Sequence, residues 1–210
     1  MEQFEERLKN LLAIEKAYRE LTQTSGGTLT GKEIIRRREI GDIVIEPWDL
    51  KNLNPNSYDI ALDPHAKKYI LGDNDVLDPR KVNPTEDIII PEEGLILRPG
   101  DFLLAKTMEW TETRNLVPRI DGRSSTGRLS IFIHVSAGFG DINFNGNWTL
   151  EITCIKPVIL YPGMKIGQIS YVTPSGEIDP DFLYGSSRKL SKYQGSRDAE
   201  GSLFALDSDK

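Results

Sequence analysis

Cysteine is almost absent from this 210-residue chain, where Cys154 stands alone. A lone cysteine excludes an internal disulfide framework, and with no C-x-x-C pair it excludes a cysteine-rich zinc site as well. The compartment expected for such a chain is a reducing one, the cytoplasm. Histidine is nearly as scarce, with His65 and His134 only. His65 follows Asp63-Pro64 and reads as a turn residue; His134, among Ile131, Ile133 and Val135, reads as a hydrogen-bonded structural residue of a strand. No metal-ligating constellation is therefore expected. Long apolar runs are missing too: none approaches the ~18 residues that span a bilayer, and the opening MEQFEERLKN is too charged for a secretory signal. Positive charge is in deficit, with 26 Lys and Arg against 32 Asp and Glu and a net charge of −6. That argues against binding a nucleic-acid polymer, which needs a basic surface, and leaves room for a small anion pocket built from a few local cations. Parallel βαβ units are lacking, so a nucleotide is not expected at the crevice of a parallel sheet.

What is present suffices for a core: 38% of the residues are apolar, and 18 glycines are added to them. Residues 2–22 read as an amphipathic helix, with Phe4, Leu8, Leu11, Leu12 and Tyr18 near one side. Such a stripe must be covered by the body or by another chain. Thr24-Ser25-Gly26-Gly27 breaks it. A second short helix is predicted from Thr30 to Arg38, with Thr30 and Glu33 forming a capping box. From Ile43 onward the pattern changes to short β-branched runs (IVIEP, YDIAL, DIIIP, GLILRPGDFLLAKT, LSIFIHVSA, WTLEITC, PVILYPGMKIGQISYV) separated by Gly, Pro, Asn and Asp. This predicts an all-β fold, an antiparallel sandwich, barrel or jelly roll with a few short helices. The expected divisions are 1–25, an N-terminal helix; 26–180, the β domain; and 181–210, a polar tail. The tail carries Arg188, Lys189, Lys192 and Arg197, a basic stretch in an acidic protein. It reads either as a frayed terminus or as a flap that orders on an anionic ligand.

The densest polar cluster is Asp121-Gly122-Arg123-Ser124-Ser125-Thr126-Gly127-Arg128. Glycines admit a ligand close to the backbone, hydroxyls donate hydrogen bonds, and two arginines suit oxyanions. The combination suits a phosphate-binding loop, the alternative being a polar turn with surface arginines; it is not a P-loop, whose G-x-x-x-x-G-K-[ST] is missing. Further on, Asp141 lies in a glycine-rich turn, and Asn145-Gly146 signals a hairpin. Along WTLEITC, alternation puts Trp148, Leu150 and Ile152 on one face and Thr149, Glu151 and Thr153 on the other. Taken alone the second face is an ordinary solvated one. Beside the arginine cluster, Glu151 and Asp141 become candidates for acid–base work in a ligand groove.

Four segments in series resemble the dCTP deaminase and dUTPase superfamily, in its dCTP deaminase branch: Asn54-Pro55-Asn56-Ser57-Tyr58-Asp59-Ile60, the run DGRSSTGRLSIFIHVSAGFGDINFNGNWTLEI, YPGMKIGQIS and YGSSRKLSKYQG. They cover roughly residues 28–197, and the helix at 2–22 lies outside them. The resemblance implies a distorted β-barrel or jelly roll of the dUTPase-like type, assembled as a homotrimer with active sites between subunits. It implies Mg²⁺ carried on the nucleotide triphosphate and no zinc; the H-x-E and P-C-x-x-C signature of the zinc deaminases is lacking. The implied partners are dCTP, dUTP as intermediate or second substrate, and dTTP as an inhibitor.

Position by position, the resemblance makes Glu151 the general base for water attacking C4 of cytosine, Ser124 and Arg128 the groups that position that water, and Ala137 a backbone contact beside it. Asp141 matches the aspartate on the deoxyribose 3′-hydroxyl, and Phe144 the aromatic that excludes a 2′-hydroxyl. Arg123, Ser125, Gln168, Lys192, Tyr193 and Gln194 match phosphate or loop contacts, and Thr149 joins the substrate-binding set. The stretch Ala137-Gly138-Phe139-Gly140-Asp141 and the tail look like the bifunctional, dUMP-forming members, in which Asp141 would activate a second water. The alternatives are a deaminase that releases dUTP, a dUTPase alone, and a non-catalytic nucleotide sensor. Three departures stand out: Ser130 where glycine is frequent, Gly140 where isoleucine or valine is common, and Ile142-Asn143 for a usual Pro-Gly.

Overall fold

Strict alternation of apolar and polar residues dictates strands with one buried face, and the longest strands show it. The computed structural model describes residues 2–23, 26–72, 76–134, 136–187 and 191–207. Within them lie α1 (Glu2–Gln23), α2 (Gly31–Glu39), β1 (Ile43–Glu46), β2 (Tyr58–Tyr69), β3 (Thr85–Ile89), β4 (Leu95–Leu97), β5 (Leu103–Thr113), β6 (Val117–Gly122), α3 (Ser124–Arg128), β7 (Ile131–Phe132), β8 (Asn145–Cys154), β9 (Val158–Leu160) and β10 (Lys165–Val172). Eight strands form one antiparallel sheet in the order β6-β10-β2-β5-β8-β7, with β1 added on β5 and β3 on β2; β4 and β9 make a separate ribbon. Register shifts in β2 between Leu62 and Ala66, and in β5 between Lys106 and Trp110, bend these strands. The segment after β7 closes the structure toward a barrel. Glu151 N–H donates to Ile133 O at 2.8 Å on the β8 side, while Ile120 N–H donates to Gly138 O at 2.8 Å on the β6 side. Among the described residues no helix is long and apolar enough to cross a membrane.

The core fills the interior of this curved sheet. Tyr58, Ile60, Leu62, Leu103, Leu150, Ile152, Ile166, Ile169 and Tyr171 are all buried, and each aliphatic side chain among them contributes roughly 1.5–3 kcal/mol. In β8 every even-numbered residue from Gly146 to Cys154 is buried and every odd one half-buried, so Glu151 shares a face with Asn147, Thr149 and Thr153 as its spacing predicts. On β5 the polarity is inverted. Thr107, Glu109 and Thr111 point inward and Met108 outward, because Thr107 Oγ1 accepts from Trp148 N–H at 3.0 Å and Thr111 Oγ1 from the Trp148 indole at 2.9 Å.

Several local expectations are corrected. Thr30 caps α2, accepting from Glu33 N–H at 3.4 Å. Glu33 gives its carboxylate not to the cap but to Arg36 at 2.8 Å and Arg37 at 3.0 Å. The polar cluster after β6 is not an open turn but the short helix α3. Thr126 Oγ1 accepts from Arg123 N–H at 3.0 Å and donates to Arg123 O at 2.7 Å, which closes its first turn. His134 lies beyond the end of β7, and its Nδ1 is buried without a hydrogen-bond partner, contrary to the expected satisfied strand histidine. Asn145-Gly146 does not turn; it opens β8. The turn falls earlier, where Phe144 N–H donates to Asp141 O at 3.2 Å and Asn143 has a φ of 76°. Gly146 instead admits the tail, since a Cβ there would lie 3.0 Å from Ser196 O. Among the described side chains of α1 the apolar residues Phe4, Leu8, Leu11, Leu12 and Ile14 are exposed. Thr24, Ser25, Val135, Arg188 and Lys189, named above, lie outside the described residues.

Candidate active site

The half-buried face of β8 forms the floor of a cavity of about 520 Å³, within the range usual for small-molecule sites. Asn147, Thr149 and Glu151 rise from that floor, and Leu104 and Phe102 lie beside them. Leu104 is the cross-strand partner of Glu151. One wall is the segment carrying Ala137, Phe139, Gly140, Asp141 and Phe144. The C-terminal tail contributes Lys192, Tyr193, Ser196, Glu200, Gly201 and Ser202 to the lining.

An aromatic wall stiffens the pocket. Phe144 lies 4.7 Å from the Trp148 ring and 5.9 Å from Tyr184, centroid to centroid and tilted in both cases, a favoured arrangement for aromatic pairs. Burial holds the Tyr184 hydroxyl above its ordinary pKa, so it stays protonated, and it accepts from Tyr193 N–H at 3.0 Å. The carboxylates of Asp141 and Glu151 take no side-chain hydrogen bond or ion pair from the described residues, while both line the cavity. They come from separate elements of the lining, Asp141 from a turn and Glu151 from mid-strand.

The tail is tied down by backbone bonds rather than by apolar bulk. Asn147 N–H donates to Ser196 O at 2.9 Å, Gly195 N–H to Asn145 O at 2.9 Å, and Glu200 N–H to Thr149 Oγ1 at 3.0 Å. Ser202 N–H donates to Tyr69 Oη at 2.9 Å, and Ala199 is fully buried. The Gln194 amide bridges Asn143 O at 2.8 Å and Asn145 N–H at 3.3 Å, clamping the tail to the Asp141 turn without lining the cavity itself. Lys192 pairs with Asp207, and the Arg197 guanidinium stacks 4.2 Å over Trp110.

A second polar group forms around α3, apart from the lining of this cavity. Asp59 is buried and lies 3.1 Å from Arg123 Nε and 3.4 Å from Lys165 Nζ; it also accepts from Asn54 Nδ2 at 2.8 Å. Gln168, on the neighbouring β10, accepts from Ser57 Oγ at 2.7 Å and donates to Gly122 O at 3.2 Å. Ser124, Ser125 and Arg128 are exposed beside it. The structure thus gathers Asp141, Glu151, Ala137, Phe144, Thr149, Lys192 and Tyr193 around one cavity and places Arg123, Ser124, Ser125, Arg128 and Gln168 in another cluster.

Neither Asp59 nor Glu109 is among the candidates that the sequence offers; Asp59 stands there only within the segment 54–60. Glu109 is buried; desolvation raises its pKa, and an N–H bond from Ala61 at 2.9 Å pulls the other way. Its one signal was an acidic residue between threonines in a strand. Among the described residues no cluster of three His, Cys, Asp or Glu could hold a metal ion.

Known proteins with the same sequence features give this arrangement a context. A family model described as dCTP deaminase-like matches residues 28–173. A Clostridium beijerinckii protein named dCTP deaminase, dUMP-forming is 49% identical over 183 residues, which are 87% of this chain and 99% of that protein. A Leptospira biflexa protein of the same name is 48% identical over 182 residues, 87% of this chain and 98% of the relative. The crystal structure of 2′-deoxycytidine 5′-triphosphate deaminase from Agrobacterium tumefaciens superposes with a TM-score of 0.54 at 20% identity, over 74% of this chain and 51% of that one. The chain spans about half of that solved structure, and at such identity the likeness is one of fold. The family match across the β body, joined to near-half identity over almost the whole length of the relatives, means that this chain belongs to the dCTP deaminase-like family.

Proposed function

We propose that this chain converts dCTP to dUMP in the cytoplasm, releasing ammonia and pyrophosphate at the cost of two waters. The observation that carries the reading is the pair of carboxylates, Glu151 and Asp141, which line one cavity and take no side-chain hydrogen bond or ion pair from the described residues. In the first step Glu151 removes a proton from water as the oxygen attacks C4 of the cytosine and passes it to N3; the remaining hydroxyl proton then moves through Glu151 to the amine, which leaves as ammonia as the C4 carbonyl forms. Ser124 and Arg128 position that water and steady the charge that develops, and the backbone of Ala137 lies beside it. In the second step Asp141, which also holds the 3′-hydroxyl, activates a water for attack on the α-phosphorus, and pyrophosphate departs; Mg²⁺ carried by the nucleotide would offset the charge of the triphosphate. Phe144 packs under the deoxyribose where a 2′-hydroxyl would clash. Gln168, Lys192, Tyr193 and Gln194 hold or frame the phosphates, and dTTP, similar in shape to dUTP, competes for the same cavity.

Charge supports a site shared between copies. The described lining carries Asp141, Glu151 and Glu200 against one cation, Lys192, which is already paired with Asp207. A triphosphate needs more positive charge than that. Arg123 and Arg128 supply it from α3, and they reach the cavity when a neighbouring copy brings its α3 to the mouth, as in a homotrimer. Incubation of the purified protein with dCTP and Mg²⁺, followed for ammonia, pyrophosphate and nucleotide, tests the reading: dUMP with ammonia is expected. Accumulating dUTP would restrict the activity to deamination, and binding without turnover would overturn it. Glu151→Gln is expected to abolish ammonia release with dCTP still bound, and Asp141→Asn to suppress pyrophosphate release.

A further inference from the structure

Helix α1 is the one long element that the proposed chemistry leaves without a task. The family match begins at residue 28, and the Clostridium relative is covered to 99% of its length by an alignment of 183 of the 210 residues here. The helix is therefore an addition to the family fold. Its apolar residues are exposed to a degree a helix does not sustain alone in water: Phe4 is 73% accessible, Leu11 63% and Ile14 66%. Something covers this stripe.

The sequence of α1 says what. Phe4, Leu11 and Tyr18 recur every seven residues, with Ile14 and Leu21 three positions after the second and third of them. That is the a and d seam of a two-helix coil, running from Phe4 to Leu21 and interrupted at Arg7. Charge argues against the other occupants. Glu2, Glu5, Glu6, Glu15 and Glu20 stand against Arg7, Lys9, Lys16 and Arg19; an interfacial membrane helix carries a basic polar face, and a strongly charged partner would select one sign. A nearly balanced helix with a heptad seam fits another copy of itself.

Arg7 decides the direction, because it occupies the first d position of the seam. A parallel, in-register pair would set Arg7 against Arg7, two like charges in the least solvated layer. An antiparallel pair sets position 7 opposite 18, 4 opposite 21, and 11 opposite 14. Arg7 then meets an aromatic ring, a favourable partner for a guanidinium, and every other layer is apolar. We propose that α1 joins two copies of this chain as an antiparallel, two-fold symmetric helix pair. Such a contact is isologous, so it doubles whatever assembly the β body forms, and it is independent of the catalytic reading.

Two measurements on the full chain test this. Light scattering after size exclusion is expected to show a twofold fall in mass for the double variant Leu11→Lys, Ile14→Lys, with the thermal melt of the β body retained; an unchanged mass overturns the proposal. Disulfide trapping gives the direction, on a background where the only native cysteine, Cys154, is buried. A chain carrying both Phe4→Cys and Leu21→Cys is expected to yield a covalent dimer on oxidation, and the two sites are ~25 Å apart on one helix, too far to close internally. Phe4→Cys alone and Lys9→Cys, on the outer face, are expected to stay monomeric on a non-reducing gel. Equal trapping by Phe4→Cys alone would make the pair parallel and reject the geometry, and no trapping in the double variant would reject the pair.

Discussion

Gly140 backs directly onto the Trp148 ring: a Cβ at 140 would fall 2.3 Å from indole Cη2 and 2.8 Å from Pro118 Cγ. The indole cannot retreat without breaking its 2.9 Å bond to Thr111 Oγ1. Gly140 is thereby matched to the bulk of the Trp148 ring, and the pair fixes the position of Asp141, the next residue in the chain. Gly140→Ala is expected to cost about 1–3 kcal/mol by overpacking, read as a lower melting temperature, and to slow dUMP formation. Trp148→Phe in the same chain should recover part of the loss, since neighbours in contact are not additive; a strictly additive pair of effects would show that the two residues do not constrain each other.

Asn143 carries a φ of 76° and donates through Nδ2 to Tyr184 O at 2.8 Å. Asparagine tolerates the left-handed region better than most non-glycine residues, and its side chain adds a bond to the aromatic wall. Asn143→Gly is expected to keep the turn at little cost, and Asn143→Ala to lose ~1–2 kcal/mol from backbone strain with the bond gone as well. Thermal melts of the two variants give the order; an alanine variant as stable as the glycine one would contradict it.

The parts of this structure that sequence made legible are those set by neighbours in the chain. The β8 alternation, which places Glu151 opposite Trp148, Leu150 and Ile152, is a period of two that any strand must obey. The cap of α2 at Thr30 is equally local. What stayed hidden depends on distant chain. Asn145-Gly146 carries the chemistry of a hairpin, yet Ser196 packs against Gly146 from fifty residues away and keeps it in the strand. The tail looked too polar to anchor, and backbone bonds to Asn145, Asn147 and Thr149 anchor it. The inward face of β5 reads as an outer one because its threonines bond the Glu109 backbone carbonyl and Trp148, and the Glu109 carboxylate accepts from Ala61 N–H, rather than from water. The division of the candidate site between a cavity and a separate arginine cluster has no local signature at all.

Asp59 is the anchor of that second cluster, with Arg123 and Lys165 on its two oxygens. Replacing it by Asn keeps the shape and removes the charge that orients Arg123, the residue at the start of α3. Asp59→Asn is expected to cost about 1–3 kcal/mol, since both cations are partly exposed and recover some hydration, and to lower ammonia release more than it lowers dCTP binding. Arg123→Ala should do much the same, and the double variant little more than either single one. Independent losses in a melting and turnover cycle would separate Asp59 from α3.

Glu109 supplies a pH signature for stability. Burial raises its pKa in the folded chain, partly opposed by the Ala61 N–H bond, above the value near 4.5 that it has when unfolded. Between the two values the folded chain holds a proton that the unfolded chain has released, so stability falls as pH rises through that window, and the penalty persists at higher pH. Glu109→Gln keeps an oxygen for Ala61 N–H and cannot ionise. Its buried NH₂ carries a cost of ~1–3 kcal/mol if unpaired, but that cost does not vary with pH. The melting temperature of the variant relative to the native chain is therefore expected to rise from pH 4 to pH 8, by ~1.4 kcal/mol of stability for each unit that the native pKa is raised. A difference that stays flat across this range would mean that Glu109 titrates in the folded protein as it does in water.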